Sequence, residues 1–239
     1  MLPFLEPGAA AAAVPVILLD RSAYDDWRLS QPDQIRRWAD ASGFAAKAST
    51  LLPIPAAEGG IARVIYGLGD PLPEEGSPWA FARLASLLPP GDYVIASALS
   101  PRAAYHAALG WALEHYRFRR YRSDEDARAP RRLVLPDGVD AADLGRIVGA
   151  IGHVRDLVNT PAGDMGPAEL SDAVAGLARA HDASFRAVVG RELEAERLHM
   201  ILAVGRAAGI DGPRAPRLLE LRWGASGRPL LTIVGKGVC

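Results

Sequence analysis

The sequence predicts an α/β protein made of two successive units, and three observations favour this class. Short apolar runs of strand length alternate with segments whose apolar residues recur at helical spacing. Turn signals such as Pro136-Asp137-Gly138 separate these segments. A long amphipathic helix is predicted in the middle of the chain. Such alternation is typical of helices packed on a largely parallel or mixed sheet.

The first half contains four predicted strands and three predicted helices. The strands are expected at 14–19, 62–68, 93–98 and 132–135, and the helices at 32–42, 77–88 and 101–118. Ser77 is suited to cap the second helix, because Pro78 then takes its first position. The polar, proline-ended stretch 123–130 is predicted to be a surface loop.

The second half begins with the long helix and then restarts the alternation. Apolar residues from Leu144 to Val158 keep a 3.6-residue spacing over four turns, Asp140 can cap the start, and Pro161 follows the end. We therefore expect an N-terminal α/β domain over 1–138, a connecting helix over 139–161 and an incomplete α/β domain over 162–239. In this last part helices are predicted at 167–180 and 191–198, and strands at 184–189, 200–204, 218–223 and 230–234.

Composition excludes several classes of protein. A hydrophobic content of 49% and a charged content of 23% are ordinary for a globular protein, and a net charge of -1 favours neither nucleic acid nor an anionic membrane. The single cysteine, Cys239, excludes an internal disulfide and fits a reducing compartment. No run of eighteen apolar residues is present, and the N-terminus is a poor signal peptide. We expect a cytoplasmic protein without a membrane partner.

The basic cluster at 117–122, with sequence RFRRYR, is the one feature that keeps nucleic-acid binding open. Cations also suit the C-terminus of a helix, so the alternative is a solvated helix end. A six-residue basic run is weak support for nucleic-acid recognition, and no nucleic-acid partner is expected.

Common catalytic motifs are missing from the sequence. Gly235-Lys236 lacks the spacing and the hydroxyl residue of a phosphate-binding loop, and no G-x-S-x-G nucleophile motif occurs. The five histidines form no metal-ligand cluster. His153 on the long helix is expected to be a packed or capped side chain.

Lys236 is the strongest candidate for chemistry. Lys47 and Lys236 are the only lysines among 27 basic residues, so the chain uses arginine where only positive charge is needed. A primary amine can lose its proton and coordinate a metal, which a guanidinium cannot do. Lys236 follows the apolar run 230–234 and stands between Gly235 and Gly237. This placement indicates a metal ligand, although a solvated lysine is the alternative.

Five segments together resemble the leucyl aminopeptidases, the M17 family of two-metal cytosolic aminopeptidases. They are RDLVNTP at 155–161, DMGPAEL at 164–170, AVGRA at 203–207, PRLLEL at 216–221 and IVGKGVC at 233–239. The resemblance implies a macro-domain-like N-terminal α/β domain joined by a long helix to an α/β metallopeptidase domain. It also implies a homo-hexamer that removes N-terminal residues from peptide substrates.

In the resembled family, two divalent ions (manganese, zinc or magnesium) hold the attacking water and the substrate amino group, and bicarbonate assists as a base. The lysine of the family's Gly-Lys-Gly motif is a metal ligand, and it corresponds to Lys236. The family continues with Phe-Asp-x-Gly-Gly and further ligands, which are absent from these 239 residues. We therefore expect no catalytic residue within this chain, and we expect the chain by itself to be inactive. The alternative is a non-catalytic α/β binding or assembly module.

Overall fold

The computed structural model describes residues 3–5, 7–71, 77–122 and 130–237. Contacts between Cα atoms divide the chain into two compact units, Met1–His153 and Val154–Cys239. This division falls inside the long helix, whereas the domain boundaries expected at 138 and 161 lie on either side of it; those boundaries stay predictions. The expected loop at 123–130 lies, except for Pro130, outside the described residues.

The first unit is built on one mainly parallel sheet. Its described strands are β1 (Phe4–Leu5), β2 (Val14–Asp20), β3 (Thr50–Pro55), β4 (Ile61–Gly69), β5 (Gly91–Ile95) and β6 (Arg131–Val134). They lie in the order β1-β6-β5-β2-β4-β3, and every neighbouring pair is parallel except β3 and β4. The predicted α/β class is confirmed.

The helices of this unit differ from the predicted ones at three places. They are α1 (Arg21–Ser30), α2 (Asp33–Ala41), α3 (Pro78–Phe81), α4 (Leu84–Leu87) and α5 (Pro101–Glu114), and the long helix α6 (Ala141–Asn159) begins in this unit and ends in the second. The sequence predicted neither α1 nor β3. Helix α1 buries none of its residues completely and packs Tyr24 and Trp27 against the core without a longer apolar stripe, and β3 contains two prolines. The single helix predicted at 77–88 is two short helices, and Ser77 makes no side-chain capping bond.

Helix α5 ends at Glu114 and not at 118. The backbone N–H of His115 donates to the carbonyl of Ala112, at 3.1 Å, and closes the last turn. The arginines of 117–122 therefore directly follow the end of the helix and are exposed, which agrees with the alternative of a solvated helix end.

Apolar side chains cover both faces of the sheet, as expected for parallel strands. On one face Val64 and Tyr66 of β4 join a buried cluster that includes Trp111 of α5. On the other face Ile65, the residue between them, joins Ala39 of α2. Alternate residues of one strand thus serve two cores.

Asp20 couples β2 to α1, and its capping contribution is expected to depend on pH. Its carboxylate accepts hydrogen bonds from the Ser22 hydroxyl (2.6 Å) and the Ala23 N–H (2.9 Å). The Ser22 bond is the main cause that lowers the pKa of Asp20. Because the pKa is lower in the folded state, the stabilisation is complete above about pH 4 and is lost as the pH falls through the folded-state pKa.

Replacing Asp20 with alanine is expected to cost about 1 kcal/mol of stability at pH 7 and progressively less below about pH 4. Urea denaturation from pH 2.5 to 7 measures this difference. Asp20→Asn is the matched control, because an amide still caps a helix but does not titrate over this range. A stability difference between the wild type and Asp20→Ala that grows on acidification would contradict the assignment.

The second unit contains two strands in its described part. Its elements are α7 (Pro167–Ala180), β7 (Ser184–Val189), α8 (Glu192–Ala195), α9 (His199–Gly205) and β8 (Arg217–Arg222). Strands β7 and β8 pair antiparallel, from Ser184 opposite Arg222 to Val189 opposite Arg217. The predicted strand 184–189 and helix 167–180 are confirmed.

Two predicted strands of this unit are wrong. The run 200–204 lies in helix α9. The sequence could not show this, because a short continuous apolar run has no periodicity that distinguishes a strand from a helix. The run 230–234 belongs to no helix or strand, and Leu230 and Ile233 are 86% and 88% exposed. A strand must pair its backbone N–H and C=O groups, and no described strand pairs with this run.

Candidate functional site

Lys236 lies in an irregular, exposed segment that follows β8. The residues from Trp223 to Gly237 form no helix or strand, and the Lys236 side chain is exposed. Nothing lies within 4 Å of the Cβ position at Gly235 or Gly237, so the chain is open on both sides of the lysine. Within the described part of the chain we find no hydrogen bond or ion pair of Lys236, and its amine is accessible to a ligand.

The structure does not bring a ligand set to Lys236. Across residues 3–5, 7–71, 77–122 and 130–237, no group of three His, Cys, Asp or Glu side chains could hold a metal ion. One monodentate amine cannot hold a dication against water, so the described residues do not form a metal centre. The assignment of Lys236 as a metal ligand stays a prediction.

The segment 155–170, which carries two of the sequence motifs, forms a closed turn between α6 and α7. Thr160 is buried, and both its hydroxyl (2.7 Å) and its backbone N–H (3.0 Å) donate to the carbonyl of Asp156. The Glu169 carboxylate accepts from the N–H of Gly166, at 3.0 Å, at the start of α7. Glycine has no side chain to return that bond, so only half of a capping box is present. These motif residues hold a turn and a helix start.

Two other motif segments contact each other. Gly205 at the end of α9 packs on the ring of Pro216, which is buried just before β8. The carbonyl of Pro216 also accepts from the N–H of Gly190, at 2.9 Å. Gly190 has φ of +56°, and a side chain there would overlap the carbonyl of Ile210. The glycines at these two positions are therefore required by close packing.

Replacing Gly205 with alanine is expected to destabilise the second unit by roughly 1–3 kcal/mol. The added Cβ would lie 2.9 Å from Cγ of Pro216 and closer still to Cβ of that ring. Gly176→Ala in α7 is the matched control, since the nearest atom there is 3.8 Å away at the flexible end of Arg179. That substitution is expected to stabilise the helix by roughly 0.5–1 kcal/mol. Hydrogen exchange of β7 and β8 measures both, and equal effects would contradict the close packing of Gly205 on Pro216.

The other residues singled out by the sequence take no part in a described site. His153 is exposed, so the expectation of a packed side chain is wrong. Arg117 donates from Nη1 to the carbonyls of Glu114 (2.6 Å) and Tyr116 (2.7 Å), and so covers the end of α5. The guanidinium of Arg120 lies 5.8 Å from the ring centre of Tyr121. The basic cluster is thus partly engaged with its own backbone and rings.

A groove in the first unit was not predicted from the sequence. It has a volume of about 500 Å³ and lies between α2 and the end of β3, with Arg37 and Trp38 among its lining residues. No sequence pattern pointed to it, because β3 itself was not predicted.

In the described ranges, no helix is both long and apolar enough to cross a membrane.

Two family models match the chain in succession. The model of the N-terminal domain of M17 aminopeptidases matches residues 14–136, and the model of the catalytic domain of the cytosol aminopeptidase family matches residues 153–239. A probable cytosol aminopeptidase of Nocardia farcinica is 30% identical over 90% of this chain and 44% of its own length. One from Leifsonia xyli is 30% identical over 83% of this chain and 41% of its own length.

Solved structures agree with these matches. The cytosol aminopeptidase from Coxiella burnetii is 32% identical, with a TM-score of 0.77 over 91% of this chain and 45% of that one. The bottromycin maturation enzyme BotP in complex with Mn has a TM-score of 0.68 over 90% of this chain and 46% of its own; at 22% identity it supports the fold alone. The chain spans about half the length of these relatives.

Proposed function

The chain belongs to the M17 cytosol aminopeptidase family, and from this membership we propose that the protein to which it contributes is a metal-dependent, leucyl-type aminopeptidase. The observation that carries the proposal is the match of the catalytic-domain family model to 153–239, the part that contains Lys236. The substrates are peptides with a free N-terminus, and the reaction is hydrolysis of the first peptide bond.

Two divalent metal ions (manganese, zinc or magnesium) are proposed for the complete protein. One structural neighbour, BotP, is a complex with Mn, and metal use by this protein rests on the family resemblance. When bound, such ions polarise a peptide carbonyl and lower the pKa of a bound water. Lys236 would supply one neutral amine, and the other ligands would have to lie outside these 239 residues. Bicarbonate as a base rests on the family resemblance alone.

A cytoplasmic location and a homo-hexamer are further parts of this proposal. The location is supported by the relatives, which are named probable cytosol aminopeptidases. The hexamer rests on the family resemblance. Light scattering of the complete protein tests it, and a monomeric mass would refute it.

The 239-residue chain is expected to be inactive, and the complete protein active, in release of p-nitroaniline from leucine p-nitroanilide. The expected rate of the chain is less than about one hundredth of that of the complete protein, because Lys236 is its single expected metal ligand. Both are assayed with added Mn²⁺ and again after EDTA. Chelator-sensitive hydrolysis by the chain alone would overturn the expectation. An inactive complete protein would favour the non-catalytic binding or assembly module.

A further inference from the structure

The groove between α2 and β3 has the size and composition of a small-ligand site. Its volume of about 500 Å³ falls within the range of roughly 300–1,000 Å³ that is usual for such sites. Ile35, Pro55 and the two alanines that follow it provide apolar surface, whereas Ile54, which also lines the groove, is only 4% exposed. Gln34 and Arg37 are also among its lining residues, and a few such polar side chains are usual in a site that orients a ligand.

Trp38 forms a wall whose orientation is held by a hydrogen bond. Its indole Nε1–H donates to the carbonyl of Pro53 at 2.9 Å and so ties α2 to the edge strand. The side chain is nevertheless 46% exposed. Because the polar end of the indole is engaged, the surface that remains for a ligand is the aromatic ring. A flat apolar group can stack there.

Arg37 gives the groove its charge preference. It lines the groove, whereas no acidic side chain does. Two nearby arginines of α1 and α2 are neutralised, Arg28 by Asp40 at 2.6 Å and Arg36 by Asp33. For Arg37 no ion pair is found in the part of the chain that the structure describes. A guanidinium in this state can receive a carboxylate through two parallel hydrogen bonds.

Helical spacing places the polar groups of the groove side by side. Gln34, Arg37 and Trp38 are separated by three and four residues, so they share one face of α2. The Gln34 amide both donates and accepts, and this matches a peptide group. Three neighbouring side chains can therefore bind three groups of one ligand: Gln34 a peptide group, Arg37 a carboxylate and Trp38 an aromatic ring.

The edge of β3 limits how a peptide could bind here. Strand addition needs N–H donors on the free edge, and Pro53 and Pro55 have none. A proline in a sheet usually lies on an edge strand, where its nitrogen, which carries no hydrogen, faces the free edge. A ligand of this groove is therefore held by side chains and not by an added β-ladder.

We propose that this groove binds the carboxyl-terminal aromatic residue of a peptide. The ring stacks on Trp38, the terminal carboxylate pairs with Arg37, and the preceding peptide group contacts Gln34. A free amino acid fits less well, because its ammonium group would find no acidic partner among the lining residues.

The test is an NMR titration of the ¹⁵N-labelled 239-residue chain with acetyl-Ala-Phe and with its C-terminal amide. The acid is expected to shift the Trp38 indole N–H and the amides of Ala56 and Ala57, and to bind at least about fivefold more tightly than the amide. Arg37→Gln is expected to reduce the affinity for the acid to that for the amide.

Arg36→Gln is the matched control, since it removes the same charge from the adjacent position of α2 but not from the groove lining. It is expected to leave the affinity for acetyl-Ala-Phe within about twofold of the wild type, in keeping with the small effect of exposed charges. The proposal is overturned if acid and amide bind equally, if both arginine variants weaken binding alike, or if the shifts map to residues outside the groove. None of these results depends on aminopeptidase activity.

Discussion

Replacing Lys236 with arginine in the complete protein is expected to lower kcat/KM for leucine p-nitroanilide by more than about 100-fold. Arginine keeps the positive charge and the approximate length of the side chain, but it cannot lose its proton to coordinate a metal. Loss of an outer-shell partner of a metal ligand already costs about 10- to 100-fold, so loss of a ligand is expected to cost more. Lys236→Ala is expected to be as damaging as Lys236→Arg. Metal content of the purified variants, measured by mass spectrometry, is expected to fall in parallel.

Lys47→Arg is the matched control for this experiment. Lys47 is the other lysine of the chain, and it lies exposed in the loop between α2 and β3 of the first unit. It is expected to retain full activity and metal content. If Lys236→Arg were as active as Lys47→Arg, the amine at 236 would not be a metal ligand.

Replacing Trp111 with alanine is expected to destabilise the first unit by about 3–5 kcal/mol. Trp111 is fully buried in the core cluster of α5, β2 and β4, and its ring centre lies 6.1 Å from that of Tyr93. Truncation removes the ring and leaves a cavity that the surrounding strands can only partly fill. Urea denaturation of the 239-residue chain, followed through hydrogen exchange of β2 and β4, measures the loss.

Two further tryptophan variants separate the effect of losing the packed ring from the effect of the buried, unsatisfied N–H group. Trp111 Nε1 is buried without a partner among the described residues. Trp111→Phe keeps an aromatic ring and removes this unsatisfied donor, so its cost is expected to be less than half that of Trp111→Ala. Trp79→Ala is the surface control, since Trp79 is 69% exposed, and it is expected to stay within about 0.5 kcal/mol of the wild type. Equal losses for Trp111→Phe and Trp111→Ala would show that cavity formation is not the main cause.

The elements that the sequence predicted well are those whose signals are local. Helix α6 was predicted from its periodic apolar residues, and Asp140 does cap it, accepting from the N–H groups of Ala142 (2.8 Å) and Asp143 (3.1 Å). Strand β2 was predicted from the short apolar run 14–19. In both cases the decisive groups are within a few residues of one another.

The candidate site could be predicted only in part. The rarity of lysine and the glycines on either side of Lys236 identified it from the sequence, and the family matches extend over that segment. The ligands that would complete a metal centre could not be inferred from these residues, and the structure shows no such set in its described part. A metal centre joins residues distant in sequence, so one motif cannot define it.

By itself, the sequence determined the α/β class, the Asp140 cap of α6 and the family, because periodicity, this capping group and motif order are written in neighbouring residues. Only the tertiary structure decided that 200–204 is helical, that β3 forms the sheet edge, and that Trp38 and Arg37 line a groove. These outcomes depend on contacts across the chain, such as Gly205 on Pro216 and the Trp38 indole on the Pro53 carbonyl. Local propensity is a weak determinant wherever such contacts are made, since burial and backbone pairing outweigh it.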